Sequence, residues 1–328
     1  MPSPPPDLVA RIKGLVRPLF ALAAAVFVIL VVKDMASRVS GLSFELDTGW
    51  LVASLVPSAL AVLLQYQAWW SLVESWTGRR MPRLLSLRVY VDGQIARYTP
   101  GKVGLPAVRV AGAEVVGVSA QVMISTLLSE VLAWTACGTL LGGALMLALG
   151  DESGANQRAS PFFGGLGAVS ACGLLLLVLV PNSVWPKVIV QAVGMERGRT
   201  LMPWRVPAWQ TLHFIASATG GFCLVLALGG SVQQGIYLGA VVCVAIVAGF
   251  LALLAPAGVG VREAMIAVFA EPVLGTDHAI MLGVLSRAVT LSSELLLFFL
   301  FRSLTRKKRA TQPVAPGARG ADSAAPEE

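Results

Sequence analysis

Charge is scarce in this sequence. Only 13% of its 328 residues are Asp, Glu, Lys or Arg, against 56% hydrophobic residues and a mean hydropathy of +0.75. A soluble domain averages about 25% charged residues. No globular core of this length hides so much apolar surface from water, so lipid is expected to be the solvent for most of the chain. Histidine and cysteine are rarer still. The two histidines, His213 and His278, stand far apart, and the four cysteines, Cys137, Cys172, Cys223 and Cys243, lie singly within apolar runs with no Cys-x-x-Cys pair. Neither zinc, a disulfide framework nor any other cofactor is expected from that spacing. There is no Asp-x-Asp, the carboxylate pair that would hold a metal for a nucleotide sugar. No basic stretch is interleaved with exposed aromatics, which argues against nucleic acid as a partner. The net charge of +7 and pI near 9.6 point instead to cytoplasmic loops lying against anionic lipid.

What is present is a series of apolar runs. Residues 1–14, with Pro4, Pro5, Pro6, Arg11 and Lys13, read as a cytoplasmic amino-terminal segment, and 15–304 as one transmembrane domain. The first run, 15–32, resembles a signal-peptide core but is long enough to span and meets Lys33 and Asp34 without a convincing cleavage site, so it is read as an uncleaved anchor. Further spans are expected at 50–73, 115–150, 161–180, 206–228, 231–255 and 279–301. Tyr66, Trp69, Trp70 and Trp76 are expected to form an interfacial aromatic belt. Arg79, Arg80, Arg83 and Arg88, and the connection holding Lys187, Arg197, Arg199 and Arg205, mark the cytoplasmic side. Asp34, Glu45, Asp47, Asp151 and Glu152 mark the other. Seven spans from a cytoplasmic start would leave the basic run Arg306, Lys307, Lys308, Arg309 outside. An eighth crossing or a re-entrant loop is therefore placed at 258–275. Residues 305–328 read as a basic, then disordered, tail.

Two segments interrupt this pattern in similar words. One runs Arg97-Tyr98-Thr99-Pro100-Gly101-Lys102-Val103-Gly104, followed by Pro106 and Arg109; the other runs Pro256-Ala257-Gly258-Val259-Gly260-Val261-Arg262-Glu263. Proline removes a backbone donor and glycine frees the chain, so both should break a helix. At membrane depth such backbone survives only when buried in protein or lining a wet cavity. A helix restarting after the break aims free amides at an anion, for which phosphate is the obvious guest. Arg97, Lys102, Arg109 and Arg262 would complete a cationic site, with Tyr98, Pro100, Gly101 and Glu263 beside them. The competing reading is two ordinary cytoplasmic turns whose cations touch head groups without specificity.

After each break comes an apolar span with a carboxylate inside it: Glu130 in Ser125-Thr126-Leu127-Leu128-Ser129-Glu130, and Glu294 in Thr290-Leu291-Ser292-Ser293-Glu294. A break followed by an acidic helix, occurring twice, is the weak internal symmetry of transporters whose site lies between repeats. Intramembrane carboxylates need partners. Arg287, about two turns before Glu294, shares its face but is too distant for a local pair. Glu130 and Glu294 read either as coupling or gating groups or as tethers to arginines on other helices.

These motifs resemble the lysylphosphatidylglycerol synthase transmembrane region family of flippase-like membrane proteins, over residues 16–304. The resemblance implies an all-α polytopic bundle of about eight spans with two broken or re-entrant segments, acting on lipids or lipid-linked sugars. The full synthases add a soluble aminoacyl-transferase domain after the membrane part; this chain ends in a short tail, so lipid aminoacylation is not expected. Gly104 stands where relatives often carry an aromatic, and nothing selects between phospholipid, hopanoid and polyprenyl-linked substrates. The expectation is a non-enzymatic lipid translocase of a bacterial inner membrane, alone, as a homo-oligomer or with a lipid-synthesis enzyme as partner. Its rivals are a membrane glycosyl- or lipid-transferase using Glu130 or Glu263 as general base, and a scaffold for a lipid-modifying enzyme.

Overall fold

The computed structural model describes residues 45–99, 103–149, 154–179, 201–252, 258 and 260–310, with isolated positions at 26, 29, 30, 33 and 37. Side chains are described throughout these except at 154–164 and 307–310. The expected anchor at 15–32, the turn residues Pro100, Gly101, Lys102 and Pro256, the basic connection around Lys187, and the tail beyond 310 lie almost wholly outside them.

All the described regular structure is α-helical: α1 (Thr48–Ala53), α2 (Leu55–Thr77), α3 (Arg83–Ala96), α4 (Gly104–Ala111), α5 (Ala113–Val116), α6 (Ala120–Ala148), α7 (Gly154–Leu179), α8 (Arg205–Ala227), α9 (Val232–Leu251), α10 (Val261–Leu274) and α11 (Thr276–Ala310). Five stretches are long and apolar enough to cross a membrane: Thr48–Thr77, Ala120–Ala148, Arg205–Ala227, Val232–Leu251 and Thr276–Arg306. The chain is therefore a multi-pass membrane protein. Leu128, Leu132, Leu296 and Phe299 point outward from these helices, as side chains meeting lipid tails must. The long run at 115–150 divides. Gly117 takes a left-handed conformation and ends α5, and Ser119 caps α6 by accepting from the Val122 amide at 3.2 Å.

The polar ends of the helices separate by charge. Asp47 caps α1, its backbone amide donating to Ala227 O at 3.0 Å, so the starts of α1 and α9 and the end of α8 share one end with Glu271 and Asp277. The opposite end collects Arg79, Arg80, Arg83 and Arg88 with Arg302 and Arg306. Tyr66, Trp69, Trp70 and Trp76 are buried against protein and form no lipid-facing belt. Trp69 and Tyr90 pack ring to ring at 5.6 Å, and the Trp76 indole donates to Leu201 O at 3.0 Å. Rings this large serve the interior here because the chain after α2 folds back over them.

That folding back makes two helical hairpins. In the first, α3 runs antiparallel to α11, with Arg88 beside Thr305, Asp92 bonded to Arg302 and Arg97 paired with Glu294. The chain therefore enters from the basic end and, beyond Thr99, returns as α4. With 14 and 8 residues, α3 and α4 reach about 21 and 12 Å, short of the roughly 30 Å of hydrocarbon. The second hairpin is α9 with α10: Gly249 lies against Arg262 near the turn, and Gln234 donates to Val273 O at 3.0 Å near the open end. This pair enters from the acidic end, so α10 brings the chain back and α11 delivers the basic run at 306–309 to the same end as the other arginines.

Glycine closes both hairpins. A Cβ on Gly104 would lie 2.3 Å from Ala96 O, and one on Gly258, at φ +72°, would lie 2.3 Å from Gly249 O. Gly104→Val and Gly258→Ala are each expected to cost about 2 kcal/mol or more, since backbone rather than a flexible side chain must give way. Gly173→Ala, where α7 leaves open space, should be neutral or mildly stabilising. Thermal melting of the detergent-solubilised protein checks the contrast; equal melting temperatures for all three would contradict the hairpin geometry.

Candidate functional site

The tips of the two hairpins converge on α11. Glu294 stands about 27 Å from the start of α11 and about 18 Å from Arg306 by helical rise, so the meeting point is inside the bundle. Arg97, which caps the carboxyl end of α3, reaches Glu294, and its Nη1 donates to Gln94 Oε1 at 3.0 Å. Gln94 in turn donates to Gln65 on α2 at 3.4 Å, extending the polar chain across the bundle.

From the second hairpin come Arg262 and Glu263, in the first turn of α10. Glu263 folds back on its own helix start, Oε2 accepting from the Gly260 amide at 2.8 Å, and its other oxygen accepts from Arg287 on α11. The capping-box arrangement explains why a carboxylate follows the glycines: it satisfies an amide that the broken helix leaves open. Among the described residues Arg262 has neutral hydrogen-bond partners only. Its Nη2 donates to Ser286 O at 3.2 Å, Ser286 Oγ at 2.9 Å and Thr290 Oγ1 at 3.3 Å, while Nε is buried with no partner.

Arg109 and Glu130 form a separate centre. Arg109 Nη1 donates to Glu130 Oε2 at 3.2 Å, the Tyr90 hydroxyl donates to Oε1 at 2.7 Å, and the guanidinium stacks 4.0 Å from the Tyr90 ring and 4.6 Å from that of Trp69. Arg109 is 1% and Glu130 3% exposed. The pair ties the returning helix α4 to α6, the tether reading of Glu130.

Two small cavities border this network and share Arg97, Gln65 and Trp134. The larger, about 60 Å³, is lined by Arg97, Arg262, Glu294, Ser286 and Thr290 with His213 and Ser217 of α8; the smaller, about 30 Å³, lies beside Arg109 and Glu130. A water occupies roughly 10–15 Å³ of such space, so each holds a few waters and no head group in this conformation.

Of the residues singled out by sequence, Arg97, Arg262, Glu263, Arg287 and Glu294 are brought together. Tyr98 lies at the same turn, with the Arg97 guanidinium 5.4 Å from its ring. Arg109 and Glu130 form the neighbouring centre, and Pro100, Gly101 and Lys102 lie outside the described residues. Sequence reasoning missed Ser286 and Thr290, although their spacing of four residues from each other and from Glu294 places all three on one helical face. His213 is hydrogen-bonded, the ordinary expectation for a lone histidine near a segment end, but no local pattern names its partners. The Trp134 indole can only donate, so His213 Nε2 accepts from it at 3.0 Å, and Nδ1 carries the proton donated to Ala61 O at 2.8 Å. Among the described residues no three His, Cys, Asp or Glu side chains cluster as a metal site.

Compared with models of known protein families and with the curated proteins, the sequence matches none.

Breaking a buried ion pair from one side strands a charge and costs about 3–5 kcal/mol, whereas removing both partners together is far milder. Glu130→Leu and Arg109→Leu should therefore each lower the melting temperature sharply, and the double variant should recover much of the loss. Strictly additive losses in that cycle would show that the two side chains do not interact.

Proposed function

We propose that this protein is a flippase-like, non-enzymatic translocase for an anionic phospholipid or a lipid-linked substrate in a bacterial inner membrane. It would cross about eight times, with the amino terminus and basic end in the cytoplasm. The observation that carries this reading is Arg262: a guanidinium 8% exposed, facing a cavity between two broken helices, with hydroxyls and a carbonyl but no carboxylate as partners among the described residues. An intramembrane charge normally finds a counter-charge in the protein or marks a substrate path. Arg97, across the same cavity, supplies a second guanidinium suited to a phosphate oxygen.

The entry of the two hairpins from opposite ends supports transport further. Sites at the meeting point of oppositely oriented broken helices serve alternating access, in which one element rocks against the other. Arg97–Glu294 and Arg287–Glu263 bind the hairpin tips to α11. The small cavity then corresponds to a closed state that opens when a tip separates. Engagement of its candidate bases weighs against the transferase alternative. Glu130 has both oxygens engaged by Tyr90 and Arg109, and Glu263 has both engaged by the Gly260 amide and Arg287. A general base needs reach to an acceptor hydroxyl. The motif resemblance to the lysylphosphatidylglycerol synthase transmembrane region family points the same way, and Lys102, the cation beside the first break in sequence, would be a further phosphate ligand.

The test is lipid movement between leaflets in vesicles reconstituted with the purified protein, using tail-labelled phosphatidylglycerol quenched from outside. Arg262→Gln should slow the exchange at least about tenfold, a loss of roughly 1.4 kcal/mol or more in the barrier. Arg80→Gln, which removes an exposed cation at the basic end, should leave the rate unchanged. Exchange by Arg262→Gln at the parent rate would overturn the proposal.

A further inference from the structure

The charges around the cavity can be balanced, and the balance restricts the ligand. Arg97, Arg109, Arg262 and Arg287 face Glu130, Glu263 and Glu294 among the described residues. Three of the four arginines are matched one to one by carboxylates, which leaves a single positive charge, that of Arg262. Its partners Ser286 and Thr290 are neutral, and they cannot cancel the cost of holding a lone cation at low dielectric. Its unpartnered Nε still offers a donor.

The remaining polar groups of the cavity are uncharged. Ser58 donates to the carbonyl of Ser54, the residue before α2, at 2.8 Å and Ser217 to His213 O on α8 at 2.9 Å, and both keep oxygen lone pairs as acceptors. His213 is held neutral between Trp134 and Ala61, because a second proton on Nε2 would meet the indole N–H head on. Glu294, the only carboxylate lining the cavity among the described residues, is paired with Arg97 through Oε1 and keeps a buried Oε2 with no hydrogen-bond partner. A head-group hydroxyl can donate to that oxygen without adding charge, whereas an ammonium would bring a second cation to a carboxylate that Arg97 already matches.

Resting on the reading of this cavity as a head-group site, we infer that its ligand is a phosphodiester of single negative charge with an uncharged, hydroxyl-bearing head. One such anion neutralises Arg262. A phosphomonoester or diphosphate would exchange an uncompensated positive charge for a negative one, at the same depth and with the same desolvation penalty.

Titration calorimetry on the full-length protein in detergent tests this with short-chain lipids at pH 8, above the second ionisation of a phosphomonoester at about 6. The probes are dihexanoyl phosphatidylglycerol (one negative charge, hydroxyl head), dihexanoyl phosphatidic acid (close to two charges), dihexanoyl phosphatidylethanolamine (phosphodiester with an ammonium) and inorganic phosphate. Phosphatidylglycerol should bind at least tenfold more tightly than the other three, and Arg262→Gln should abolish that preference. Arg262→Lys, which keeps the charge, should retain part of it and guards against a simple folding defect. Tighter binding of phosphatidic acid would overturn the single-charge assignment and indicate that a further cation, Lys102 being a candidate, reaches the site. Equal binding of phosphatidylethanolamine would overturn the neutral-head assignment, and inorganic phosphate binding as well as phosphatidylglycerol would replace the lipid by a free ion. If Arg262→Gln binds every probe as the parent does, the cavity is not the head-group site and the proposed function itself fails.

Discussion

A guanidinium or carboxylate carried to the depth of the hydrocarbon loses its hydration, and only an opposite charge with good hydrogen-bond geometry restores most of what is lost. That requirement organises this protein. Arg109 needs Glu130, so α4 is drawn against α6. Arg97 needs Glu294, so the tip of the first hairpin is fastened to α11; Arg287 needs Glu263, so the start of α10 is fastened there too. None of these helices is held in place by apolar contact alone, since lipid tails solvate leucine as well as a neighbouring helix does. The ion pairs supply the direction that hydrophobicity cannot, and they do so where the backbone is broken.

The same requirement distinguishes two kinds of buried charge here. Arg109 and Glu130 are enclosed by Tyr90 and Trp69 and have every reason to stay where they are: aromatic faces on the cation, and a hydroxyl and a guanidinium on the two carboxylate oxygens. Arg262 sits among hydroxyls at the edge of a cavity, a weaker arrangement. A site that must bind and release an anion benefits from partners that hold a cation in position without neutralising it. On the proposed reading, a carboxylate there would compete with the ligand on every cycle.

Geometry also decides how the two broken segments relate. Their sequences are alike, each with proline, glycines and a cation, and the pattern leaves open from which side each turn is approached. The contacts of α3 with α11, and of α9 with α10, show that the hairpins enter from opposite ends and meet at their tips. The difference is one of depth: the second turn meets Ser286 and Arg287 of α11 inside the bundle. The parity of the basic ends places a crossing or re-entrant loop at 258–275, but 14 residues with Arg262, Glu263 and Glu271 carry too little apolar signal for hydropathy to fix how deep it reaches.

Composition and periodicity by themselves determined that the chain is helical, lipid-solvated and polytopic, because hydrogen-bond satisfaction in hydrocarbon leaves a hydrophobic chain of this kind few alternatives. They also marked the two breaks, since proline and glycine act locally, and singled out the charged residues Arg109, Glu130, Arg262, Arg287 and Glu294, which are buried, since intramembrane ions are costly wherever they fall. Tertiary structure alone decided the partners. Arg287 pairs across to Glu263 rather than along its own helix, Arg97 reaches 197 positions to Glu294, and the Tyr66–Trp76 aromatics turn inward instead of edging the membrane. Pairing of this sort depends on which helices are neighbours and at what depth, and a one-dimensional pattern of hydropathy and charge contains no distances between helices.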